Sequence, residues 1–83
     1  MDEKIESFLT AAKLIGWEIT TKKHFEHTRI TLEKKEVRIK IWVDYFLGKF
    51  TDFSAEYSEH KGVFHSIMED NLEIGINKIM QWI

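Results

Sequence analysis

The stretch Thr28-Arg29-Ile30-Thr31-Leu32-Glu33-Lys34-Lys35-Glu36-Val37-Arg38-Ile39-Lys40-Ile41-Trp42-Val43-Asp44 decides the fold. Thr28, Ile30 and Leu32, then Val37, Ile39, Ile41 and Val43, alternate with charged or polar residues. Successive side chains of a strand point to opposite faces, so this period of two predicts two strands that each bury one face. A turn at Lys34-Lys35 sets Leu32 opposite Val37 and Ile30 opposite Ile39, while Arg29 meets Lys40 and Thr31 meets Arg38 on the other side. A slip by one residue moves the apolar set to the wrong face, so the coincidence of the two apolar sets is informative.

Working outward, Trp17, Ile19 and Thr21 alternate with Glu18, Thr20 and Lys22, which predicts an earlier strand with Ile19 facing Ile30 and Trp17 facing Leu32 around a loop from Lys23 to Glu26. Phe50 to Ser58 reads as a fourth strand. A two-residue turn at Leu47-Gly48 would bury Asp52 and Ser54. A three-residue turn, Leu47-Gly48-Lys49, instead pairs Val43 with Phe53, Ile41 with Ala55 and Ile39 with Tyr57, and is the connection expected.

Both ends of the chain carry helical spacing. Ile5, Phe8, Leu9, Ala12 and Ile15 follow an i, i+3, i+4, i+7 pattern from Asp2, with acids in the first turn, Lys13 near the end and Gly16 as a stop. Phe64, Ile67, Met68, Leu72, Ile76, Ile79, Met80 and Ile83 form a second stripe, in which Gly75 costs about 1 kcal/mol relative to alanine by propensity alone. The fold class is therefore α+β. A two-layer sandwich is expected, with an N-terminal helix, a four-stranded antiparallel meander and a C-terminal helix, both helices on one sheet face. Residues 1–83 read as one domain, since there is no proline, no glycine-rich linker and no internal repeat.

Composition narrows the function classes. Hydrophobic residues are 43% of the chain and charged residues 31%, which suits a packed core and not a disordered segment. Absence of cysteine removes disulfides, thiolate zinc sites and cysteine nucleophiles together, and fits a reducing, cytoplasmic setting. The first ten residues, acidic at Asp2, Glu3 and Glu6, do not read as a signal peptide, and no apolar run approaches the ~20 residues that span a bilayer, so no membrane role is expected. Serines 7, 54, 58 and 66 lie in no nucleophile-elbow context and there is no phosphate-cradling glycine loop, so neither an enzyme nor a cofactor is expected. His24, His27, His60 and His65 lack the spacing of a metal site and read as surface histidines.

The net charge of −2 is uneven: residues 1–42 hold nine Lys/Arg against seven Asp/Glu, and residues 43–83 hold three against seven. The expected registers gather Arg29, Arg38, Lys40, Trp42, Phe46 and Phe50 on the sheet face away from the helices, and these are the candidate binding residues. Arg29 opposite Lys40 is a like-charge pair that asks for a neutraliser, either a partner or, within the fold, Glu56 beside Lys40 and a neighbouring acid beside Arg29. Exposed aromatics beside arginine are typical of interface hot spots. Asp44 facing Asp52 on the same face reads as solvated.

The expectation is a non-enzymatic protein-binding module of the small-inhibitor or immunity-protein kind, docking on a larger protein partner through this face. The same cations and aromatics suit stacking of single-stranded nucleic acid, the alternative, although Asp44, Asp52 and Glu56 repel phosphate. A homo-oligomeric structural protein is the third reading; Trp82, off the helical stripe, is expected to be partly exposed, where it could extend an interface or support a homodimer. The order helix, strands, helix resembles that of double-stranded RNA-binding domains. Where that family has a lysine-rich start to its second helix, this chain has Ser66-Ile67-Met68-Glu69-Asp70, so the assignment does not carry over.

Overall fold

The computed structural model describes residues 3–83, so Asp2, the expected first helical residue, lies outside the described residues. The order of elements is α1 (Glu3–Leu14), β1 (Glu18–Lys23), β2 (His27–Lys34), β3 (Val37–Phe46), β4 (Lys49–Glu59), β5 (Phe64–Glu69) and α2 (Leu72–Met80). The strands form one antiparallel sheet in sequential order. The α+β class and the terminal helices match the expectation from periodicity; the strand count does not.

Helix α1 ends as Gly16 predicts. The amide of Trp17 donates to the carbonyl of Ala12 and that of Gly16 to Lys13, with Gly16 at φ +101°, which is a Schellman closure. Lys34 Nζ, 2.6 Å from the carbonyl oxygen of Ile15, ties this corner to β2.

Residues 64–69, expected as the start of the last helix, instead form β5 along β4, pairing Ile67 with Ala55 and Phe64 with Ser58. A short apolar run fits periods of 2 and 3.6 alike, and here Ile67 turns inward while Met68 and Phe64 turn outward. Two causes act together. β4 runs for 11 residues and would otherwise expose its outer edge, and Asn71 caps a helix that starts only there, its Oδ1 accepting from the amide of Ile74 at 3.0 Å.

Two registers differ from the expected ones by two residues. β2 and β3 pair Leu32 with Ile39 and Ile30 with Ile41 around a turn at Lys35-Glu36, Lys35 taking φ +55°. β1 and β2 pair Ile19 with Leu32 and Thr21 with Ile30, and the loop is closed by the amide of His24 on the carbonyl of His27. Charge favours the β2–β3 register found, because Glu33 now faces Arg38, 3.4 Å away, and Lys40 sits between Thr31 and Glu56. The expected Arg29–Lys40 opposition does not form.

The β3–β4 register is the expected one at Val43–Phe53, Ile41–Ala55 and Ile39–Tyr57, reached by another route. The turn has two residues, Leu47 and Gly48, at φ +53° and +79°, as a type I′ hairpin requires, and a bulge restores the parity by leaving Thr51 without a partner.

The core is one cluster. Ile5, Phe8 and Ala12 of α1 and Ile76 and Ile79 of α2 meet Ile30, Leu32, Ile39, Ile41, Val43, Phe53 and Ala55, with Trp17 sealing the α1 corner. Both helices therefore cover the same sheet face. Trp82 packs on this side too, its ring 5.7 Å from that of Tyr57, and is partly exposed.

Lys4 and Glu73, 2.7 Å apart, join α1 to α2, and the ammonium holds the Glu73 carboxyl below the usual carboxylate range. A depressed carboxylate pKa stabilises the fold above its unfolded value, and that contribution is lost as pH falls through the folded value. Stability should therefore decline on acidification through and below the carboxylate range by a small amount that Glu73→Gln removes. Because the pair is exposed, the effect should also shrink in high salt. Thermal melts of both proteins against pH check this, and identical pH profiles would show that the pair contributes nothing.

Candidate functional site: the open sheet face

The face away from the helices is a grid of cross-strand rows. One row runs Glu18, Glu33, Arg38, Ser58, Phe64; the next Thr20, Thr31, Lys40, Glu56, Ser66; the next Lys22, Arg29, Trp42, Ser54, Met68. Beyond them lie His27, Asp44 and Asp52, and then Phe46 opposite Lys49.

Of the candidate residues, Arg29, Lys40 and Trp42 come together. Trp42 is half-buried at the centre of the longest rows, flanked by Arg29 on β2 and Ser54 on β4. Arg29 faces Lys22 across β1, so a like-charge pair is present after all, with a different partner. Lys22, Arg29 and Lys40 line one shallow depression with Thr20, Thr31 and Glu33. None of these three cations has an ion-pair partner among the described residues. On the other side of Trp42 lies a groove lined by Asp44, Ser54, Glu56, Ser66 and Met68. The face thus carries a cluster of three cations bordered by Glu33 and an acidic groove with Asp44 and Glu56, with an indole between them.

The remaining candidates are placed elsewhere. Arg38 lies one row beyond Lys40 and is engaged by Glu33. Phe46 is exposed at the hairpin end, away from Trp42. Phe50 is not on this face: the bulge at Thr51 turns it to the core side, where its ring meets Tyr45 edge-on at 6.5 Å. A three-residue turn would have kept Phe50 outward, so the correction follows from the turn type.

Asp44 does face Asp52, and His27 stacks on His24 at 4.5 Å, yet no group of three or more His, Asp or Glu converges as a metal site among the described residues. Met68 and Phe64 are the surface residues that sequence reasoning missed, because both fitted the apolar stripe of a helix. Asn71, a strong helix-capping residue lying within that stripe, was the available signal. Phe25 in the β1–β2 loop and Leu47 in the β3–β4 turn are also exposed, at 98% and 82%. Among the described residues no helix is long and apolar enough to cross a membrane. Comparison of the chain with protein-family models, with curated proteins and with solved structures found no match.

Proposed function

We propose that the chain is a non-enzymatic protein-binding module, of the small-inhibitor or immunity-protein kind, that docks on a larger partner through the open sheet face. The observation that carries this reading is the row through Trp42: a half-buried indole beside Lys22 and Arg29, which face each other across β1 and β2, neither of them in an ion pair among the described residues. Folding alone gives no reason to set Lys22 opposite Arg29, since like charges facing each other across strands are unfavourable. A partner that presents carboxylates to the cations and a flat apolar group to the indole removes that cost, and tryptophan and arginine are the residues most often found as interface anchors. The acidic groove formed by Asp44 and Glu56 supplies electrostatic complementarity of the opposite sign, which fixes orientation. A cysteine-free chain suits a cytoplasmic partner.

The test is capture of partners from the native host, with and without nuclease, by the wild type and by Trp42→Ala combined with Arg29→Glu. Both side chains lie off the core, so the double variant should fold and unfold cooperatively, with circular dichroism like that of the wild type. Arg29→Glu itself should be neutral or slightly stabilising, because it then faces Lys22. Loss of these anchors is expected to weaken binding by roughly 30-fold or more, the equivalent of about 2 kcal/mol. A nuclease-resistant protein partner lost only by the variant supports the reading. Retention of that partner at wild-type affinity rules the face out, and capture that vanishes with nuclease replaces the reading with nucleic-acid binding, whose affinity would also fall steeply with salt.

A further inference from the structure

We propose that the protein self-associates through β5, two copies pairing their β5 strands antiparallel about a two-fold axis at Ser66, so that two five-stranded sheets become one continuous sheet of ten. The two edges of the sheet are unlike. The β1 edge carries Glu18, Lys22 and Lys23, the charged decoration that blocks strand addition. The β5 edge, Phe64-His65-Ser66-Ile67-Met68-Glu69, has no lysine, no proline and no bulge. It also leaves Phe64 and Met68 exposed at 59% and 77% on the open face, where their neighbours on β4 are the serines Ser58 and Ser54 and cover little of them.

The occupant of this edge follows from the pattern itself. Residues directly opposite in an antiparallel pair share a face, so a symmetric pairing must centre on a residue and not between two. With Ser66 on the axis, Phe64 lies opposite Met68 of the second copy and Met68 opposite its Phe64, burying both exposed apolar residues twice over in sulfur–aromatic contacts. With Ile67 on the axis, Phe64 meets Asp70 and Met68 meets Ser66. With His65 on the axis, Met68 falls beside Gly62, past the end of the strand. One register therefore satisfies the edge, and it does so with a second copy of the same strand. It also sets the β4–β5 turn, which carries Lys61, beside the Asp70 end of the other copy, opposite in charge. A strand of six residues makes a small interface, so the dimer is reversible, with a dissociation constant in the micromolar to millimolar range.

The chain has no cysteine, which makes the register directly testable. In the proposed dimer the two Ser66 Cα atoms are about 4.5–5.5 Å apart, within the reach of a disulfide. Ser66→Cys, exposed and therefore tolerated, should oxidise to a covalent dimer, while Thr20→Cys at the exposed centre of the β1 edge should remain largely monomeric. Sedimentation of the wild type should show the mass rising from 9.9 kDa toward twice that value with concentration. Met68→Lys, which places an edge-blocking charge opposite Phe64, should keep the circular dichroism spectrum of the wild type and stay monomeric. A wild type that is monomeric up to roughly 1 mM overturns the proposal. So does cross-linking of Thr20→Cys as readily as Ser66→Cys, or a Met68→Lys protein that dimerises like the wild type.

Discussion

Ile41→Asp is expected to abolish the folded state. Ile41 is 2% exposed on β3, between Ile30 of β2 and Ala55 of β4, under the two helices. Its neighbours in the core cluster are hydrophobic residues, and burying an unpaired charge costs several kcal/mol even when the group escapes by taking up a proton. A domain of this size holds only about 5–10 kcal/mol of net stability, so the cost consumes most or all of it. Lys40→Asp, one residue away on the open face, is the matched control and should fold. Circular dichroism melts read both. A cooperative transition for Ile41→Asp near the wild-type temperature would mean that the period-two pattern does not mark the buried face.

Gly75→Ala should destabilise the protein, although helix propensity alone favours alanine by about 1 kcal/mol. Gly75 lies in α2 against β4, and a Cβ at this position would stand 2.5 Å from Cδ1 of Phe53 and 2.9 Å from its Cγ and Cε1. The Phe53 ring is 1% exposed and packed on all sides, so it has nowhere to move without lifting the helix. Overpacking of a core by one methyl group commonly costs about 1–3 kcal/mol, which cancels or outweighs the propensity gain. The distinguishing measurement is a double-mutant cycle with Phe53→Leu, whose smaller side chain leaves room at the contact. In that background Gly75→Ala should become neutral or stabilising. Equal effects in both backgrounds would show that the two residues do not compete for space.

These two residues also mark the boundary between what was legible in the sequence and what was not. The Ile41 prediction needs only the alternation of Val37, Ile39, Ile41 and Val43, whereas Gly75 reads in the sequence as a weakness in a helix and becomes a requirement once Phe53 is known to lie beneath it. The same division runs through the candidate site. Trp42, Arg29 and Lys40 were placed on the open face by parity, and a register error of two residues left them there because it preserves parity. Their partners changed all the same: Arg29 acquired Lys22 and Trp42 in place of Lys40, and Arg38 acquired Glu33. Phe50 changed face because the bulge at Thr51 inserts one residue, the smallest change that parity cannot survive.

The sequence by itself determined which side of β2 and β3 is buried, the α1 stop at Gly16 and the β3–β4 register around Val43 and Phe53, because each follows from local periodicity, from a glycine in the left-handed region or from keeping Asp52 out of the core, whereas β1 keeps only Ile19 half-buried. Tertiary structure alone decided three things: the two-residue shifts of β1 on β2 and β2 on β3, the depth to which α2 settles at Gly75, and the state of residues 64–69. The physical reason is common to all three. Shifts of two residues, a helix's approach to a sheet and a short apolar run that suits either period are degenerate in local terms, and the degeneracy is lifted only by neighbours distant in the chain: Glu33 against Arg38, Phe53 under α2, and the bare edge of β4 that β5 covers.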